Sequence, residues 1–160
     1  MNNKTIEMKD LVPLLKEQLD AGKTVSFVPK GNSMKPMLRS GEDMILLKKP
    51  EGRLKRLDVA LYYRRETDAY AVHRVVGFEK DGSYIMLGDN NVQREHNIRH
   101  EDVVGVVTAF YRKGVMRSVD SVLYRIYSSV SVNTVFCRHL RNYVRGGMHS
   151  LKGGKREDKR

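Results

Sequence analysis

The sequence predicts a mainly β domain with an amphipathic helix before it and a helical segment after it. Three observations carry that prediction. Six short runs rich in Val, Ile, Leu and Tyr, at 24–28, 43–48, 57–63, 69–76, 83–87 and 103–111, are separated by Gly, Pro, Asn and Asp, the pattern of short antiparallel strands. Ahead of them Met8, Leu11, Leu15 and Leu19 recur at helical spacing. Behind them Val119, Val122, Leu123, Ile126, Tyr127 and Val130 mark one helical face, and Phe136, Leu140, Tyr143 and Val144 a second, with Arg138, Arg141 and Arg145 beside it.

Each element has a local reason. Asp10 is placed to cap a helix over 11–21, with Pro13 in its first turn and Gly22 at its left-handed exit. The resulting division is 1–23, a helix packed on the domain; 24–111, the β domain; 112–145, the C-terminal helical segment; and 146–160, a basic tail. The β-branched and serine-rich stretch 128–134 leaves a break or a strand open within the C-terminal segment. The tail has few core-forming residues, so burial cannot offset its ordering entropy and it is expected to be disordered.

With 160 residues and 18.4 kDa the chain suffices for one domain with a core. No apolar run approaches the roughly 18 residues of a membrane-spanning helix. The first 17 residues mix acids and bases without the apolar stretch of a signal peptide, so a cytoplasmic location is expected. The single cysteine, Cys137, excludes an internal disulfide and a cysteine-rich zinc site, and neither metal nor cofactor is expected. Lys and Arg number 30 against 19 Asp and Glu; residues 138–160 hold 8 of the basic and 2 of the acidic side chains. This concentration raises an alternative reading, a basic β domain that binds nucleic acid or a membrane surface without protease activity. No RNP-type or KH-type motif accompanies the charge, so nucleic acid is not the expected partner. Peripheral membrane contact through the basic C-terminal segment remains open.

Chemistry concentrates in three places. The segment Lys30-Gly31-Asn32-Ser33-Met34-Lys35-Pro36 turns sharply after a strand and presents a serine hydroxyl. Taken alone, Ser33 reads equally as a turn cap. A nucleophilic serine needs a base, and His73 is the histidine within a strand-like run. Alternation places Ala71, His73 and Val75 on one face and Val72, Arg74 and Val76 on the other. Two polar clusters follow in a loop, Gly88-Asp89-Asn90-Asn91 and Arg94-Glu95-His96. By itself the first is turn chemistry.

Together these boxes resemble the signal peptidases and the related self-cleaving repressors, serine proteases with a Ser–Lys or Ser–His dyad. The resemblance rests on GNSMKPML at 31–38, GEDMILL at 41–47, LDVALY at 57–62, VHRVVG at 72–77, GDNN at 88–91 and EDVVGVV at 101–107, covering about 24–111. It implies a coiled, partly open β-barrel and a soluble histidine-type member of the group. It also implies a serine endopeptidase acting on a peptide or protein precursor, with Ser33 as nucleophile and His73 as general base where bacterial signal peptidases carry lysine. The acid that orients the histidine is expected just beyond GDNN, where the matched position holds Glu95 instead of aspartate; Asp89 is the other candidate. The oxyanion and substrate-binding segment is Gly31, Asn32, Ser33 and Met34. Within it the Ser33 N–H is one oxyanion donor; Gly31 has no hydroxyl to supply a second, so main-chain groups or Asn32 would substitute. By analogy the substrate adds as a strand beside the serine segment, with small residues before the cut. Unlike a type I signal peptidase, the chain shows no membrane anchor before the serine box, which points to a cytosolic substrate.

Overall fold

The computed structural model describes residues 7–134. It is mainly β: α1 (Met8–Asp20), β1 (Val25–Phe27), β2 (Met44–Lys48), β3 (Val59–Arg64), β4 (Ala69–Phe78), β5 (Tyr84–Leu87), β6 (Glu95–Ile98), β7 (Val103–Arg112), β8 (Val115–Ser118) and α2 (Val122–Asn133). The strands form one antiparallel sheet in the order β1-β2-β7-β3-β4-β5-β6, with β8 on the far half of β7. The sheet does not close, and β1 and β6 are its ends. No helix among the described residues is long and apolar enough to cross a membrane.

β3 shows how the core is divided. Its side chains alternate across the sheet, Val59 and Leu61 joining a cluster with Val12, Leu15 and Leu19 of α1, Ala60 and Tyr62 joining one with Val75, Tyr84 and Met86. Both faces are covered, so β3 reads as an unbroken apolar run. β4 pairs with β3 through Ala69 to Arg74 and with β5 only from Arg74 onward. The outer side of residues 69–73 is therefore free of a strand partner, and that gap holds the site described below.

The six expected strands are all present, with ends shifted by one or two residues. Three expectations need correction. α1 begins at Met8, so Glu7 occupies the N-cap position without a side-chain cap, and Asp10 lies in the first turn, where its charge faces the positive end of the helix dipole. Pro13 is consequently inside the helix, exposed on its outer side. The segment 112–145 does not open as helix: β7 turns back through Lys113 and Gly114, both at positive φ, into β8, the two-residue hairpin geometry that Lys-Gly signals more weakly than Asn-Gly. Third, the polar stretch at 95–98 is a strand, β6, paired with β5. It lacks the β-branched run that marks the others, and its pairing to β5 compensates. The second helical face, from Phe136, and the 146–160 tail lie outside the described residues.

The outward apolar stripe of α2 also differs from expectation. Tyr124, Ser128 and Ser131 are buried, whereas Val122, Leu123, Ile126 and Val130 are exposed. The hydroxyl-bearing face packs because a buried arginine on β4 needs acceptors, as the next subsection shows.

Candidate functional site

The chain leaves β1 and enters a series of turns over residues 31–38. Gly31 sits at φ +114, a conformation that L side chains rarely adopt, and its N–H donates to Ser40 Oγ at 2.9 Å. The segment is anchored from below: Met34, Met37 and Leu38 are buried, and the Leu38 N–H donates to the Met34 carbonyl at 3.0 Å. Asn32 is exposed and Ser33 half-buried, so the turn holds its hydroxyl at a rim above a packed floor.

His73 is almost fully buried, at 1% exposure. It sits on the same face of the sheet as Tyr62, one position diagonal across the β3–β4 pairing. Glu95, at the start of β6, reaches the same point from the far side of β5. Glu95 Oε1 lies 3.0 Å from His73 Nδ1, Tyr62 Oη lies 3.0 Å from the same nitrogen, and the Tyr62 hydroxyl donates to Glu95 Oε2 at 2.6 Å. Arg64 completes the cluster with two hydrogen bonds to the Glu95 carboxylate, at 2.7 and 2.5 Å.

This geometry fixes the imidazole tautomer. The Tyr62 proton is committed to Glu95, and a carboxylate accepts only, so the proton between His73 and Glu95 belongs on Nδ1. In neutral imidazole Nε2 then carries the lone pair. Burial alone would raise the Glu95 carboxyl, but the hydrogen bonds from His73, Arg64 and Tyr62 outweigh it and hold its pKa down at about 2 from an ordinary 4.5. Burial, reinforced by the Glu95 carboxylate, pushes the Tyr62 hydroxyl up, so it stays a donor across the physiological range. Because the Glu95 pKa is depressed in the folded state, its stabilising contribution is present above about 4.5 and disappears as pH falls toward 2. The whole contribution is on the order of 3 kcal/mol. Denaturant unfolding of the wild type should therefore weaken over that acidic window, and Glu95→Gln should flatten the slope there; equal slopes in the two proteins would deny the cluster this role.

Ser33 and His73 meet at Gly88. A Cβ placed on Gly88 would stand 3.0 Å from His73 Nε2, 3.0 Å from Ser33 Cβ and 2.7 Å from the Ser33 carbonyl oxygen. Ser33 Cβ and His73 Nε2 thus lie within about 6 Å of each other, a separation that a serine Oγ on that Cβ can bridge by rotating about χ1. The 88–91 turn is also tied to the serine segment: the Asn90 N–H donates to the Ser33 carbonyl at 2.7 Å and its side-chain amide to the Asn32 carbonyl at 3.3 Å. Gly88 serves here by the absence of a side chain, not by an unusual dihedral.

Asp89, the other candidate partner of His73, points elsewhere. Strand alternation sends Arg74 to the face opposite His73. There Arg74, fully buried, donates Nε–H to Asp89 Oδ1 at 2.8 Å and Nη2–H to Oδ2 at 2.7 Å. Tyr127 adds a hydrogen bond to Asp89 Oδ2 at 2.9 Å, and Arg74 also donates to Tyr124, Ser128 and the Leu57 carbonyl. The structure places Glu95 against the histidine and makes Asp89 the counter-ion of the arginine beside it.

Ser33 and His73 open on a cavity of about 530 Å³ between the free edge of β1 and the unpaired stretch of β4. Met8, Leu11, Phe27, Leu38, Leu61 and Tyr70 give it a largely apolar lining, and Gly31, Asn32 and Met34 border it as well. Among the described residues no group of three His, Cys, Asp or Glu side chains converges to hold a metal ion. The arrangement is a serine, a buried histidine and a glutamate in line, beside an apolar cleft on an open antiparallel sheet. No protein-family model matches the chain, and no curated protein matches it. Three contributors escaped the reading of the sequence: Tyr62, Arg64 and Gly88. Tyr62 and Arg64 read as ordinary strand residues, and alternation along β3 puts them both on the His73 face only once the β3–β4 register is known.

Proposed function

We propose that this chain is a serine endopeptidase that cleaves an extended segment of a peptide or protein precursor, with Ser33 as nucleophile, His73 as general base and Glu95 as the residue that orients it. The observation that carries the reading is the shared approach to Gly88 of Ser33 and His73 Nε2, with Glu95 on the opposite nitrogen. In that reaction Ser33 Oγ attacks the scissile carbonyl while its proton passes to His73 Nε2. The new C–O bond makes a tetrahedral intermediate whose oxyanion the Ser33 N–H can accept, with Asn32 beside it. His73 returns the proton to the leaving amine as the C–N bond breaks, and water repeats the sequence on the acyl-enzyme. Glu95 stays ionised and stabilises the imidazolium.

The fold supports the substrate mode. The outer edge of β1 and the unpaired edge of β4 both flank the cavity, so an extended chain can hydrogen-bond between them while its side chains enter the apolar lining. The signal-peptidase and repressor resemblance belongs to the same proposal: the curved sheet with a gap beside the serine segment is compatible with their barrel. Asn90 and Asn91 hold the 88–91 turn against the site.

The test is mass spectrometry of a diverse peptide mixture incubated with wild type and with Ser33→Ala. Peptides cut by the first and spared by the second are expected and would define the substrate class; equal cleavage, or none by wild type, would overturn the reading. On a substrate so found, Glu95→Gln should lower kcat by about 10²- to 10⁴-fold, the range for a mispositioned or mis-tautomerised base. Asp89→Asn is not the matched control, since it strands the buried Arg74 and acts through stability.

A further inference from the structure

We propose that the outward face of α2 docks on an anionic membrane surface. The helix is two-faced in the reverse of the usual sense. Its hydroxyl side is turned inward on Arg74 and Asp89 through Tyr124, Tyr127 and Ser128. Its apolar side is turned out: Val122 is 72% exposed, Leu123 78%, Ile126 57% and Val130 55%. These four fall within about 100° of the helix circumference, one continuous stripe. A surface helix ordinarily buries such a stripe, and a contiguous exposed one marks an interaction surface.

Charge identifies what covers it. Arg117 on β8 and Arg125 on α2 are exposed, with Asp120 the acidic residue between them, and the chain continues from α2 into a stretch whose residues 138–160 hold 8 basic and 2 acidic side chains. A second copy of this chain would bring the same cationic segment to the interface and be repelled; an anionic bilayer attracts it. α2 is 12 residues long, about 18 Å, too short to span a bilayer and suited to lie in its plane. A short apolar insertion alone gives marginal, reversible binding, and stable attachment takes a second signal such as a polybasic segment. This chain supplies both in sequence. The inference does not depend on the protease reading.

The sequence contains no tryptophan, so Leu123→Trp introduces a sole indole reporter on the stripe. With the full chain, phosphatidylcholine vesicles containing roughly one-third phosphatidylglycerol should shift its fluorescence to the blue, pure phosphatidylcholine should not, and added salt should reverse the shift. In co-sedimentation Leu123→Glu/Ile126→Glu should partition at least about tenfold more weakly than wild type while unfolding normally. The proposal fails if the indole emission ignores anionic vesicles, or if the double variant partitions like wild type. It also fails if the wild type does not bind vesicles and sediments either as a dimer that the double variant abolishes or as a monomer.

Discussion

Arg74→Ala is expected to lower the unfolding free energy by about 3–5 kcal/mol, the cost of leaving one member of a buried ion pair alone. Arg74 has no exposed surface, Asp89 is 3% exposed, and the pair is bidentate. The guanidinium also packs under the rings of Tyr124 and Tyr127, at 5.4 and 5.9 Å from their centroids. Removing it therefore strips Asp89 of its counter-ion and the inward face of α2 of its principal partner. The wild-type ion pair itself is weak grounds for stability, because desolvation of both charges offsets most of their attraction. The double variant Arg74→Met/Asp89→Leu should accordingly recover most of the loss. Urea unfolding with an unchanged m value decides the matter: a loss below about 1 kcal/mol for Arg74→Ala would mean that water reaches Asp89.

Gly88→Ala is expected to reduce kcat/KM by about 10²-fold or more, and to cost about 1–3 kcal/mol of stability. One methyl group would stand between the serine and the imidazole, 2.7 Å from a backbone oxygen that no side-chain rotation can move aside. Either the 88–91 turn or the serine segment must shift, and the hydrogen bond from the Asn90 N–H to the Ser33 carbonyl shifts with it. Gly52→Ala is the matched control, since a Cβ there meets nothing within 4 Å and φ is not positive. Urea unfolding reads the packing cost independently of turnover. Full activity and full stability in Gly88→Ala would show that Ser33 and His73 do not converge on that point.

Much of the architecture was legible because its signals are local. Alternation and turn residues located six strands, and the alternation of Ala71 to Val76 correctly separated His73 from Arg74. β6 and β8 were not legible: Glu95 to Ile98 is polar and Val115 to Ser118 is exposed throughout, so each is a strand only because a neighbour offers it a ladder. α2 was located by its apolar repeat but turned the wrong way. A hydrophobic stripe indicates a buried face only when nothing polar in the core competes for the helix, and Arg74 does.

The same distinction runs through the site. Residue types alone nominated Ser33 and His73 and left Glu95 and Asp89 as rivals, because a carboxylate close in sequence to a Gly-Asp-Asn turn carries no direction. Direction came from strand pairing: opposite Met86, Glu95 faces the side of the sheet that holds His73, while Asp89 meets Arg74 on the other. Composition and periodicity determined which elements form, since those depend on neighbours a few positions away. Which groups touch was decided by register and by the closeness of backbones at Gly88, distances set by segments 40 to 60 residues apart along the chain.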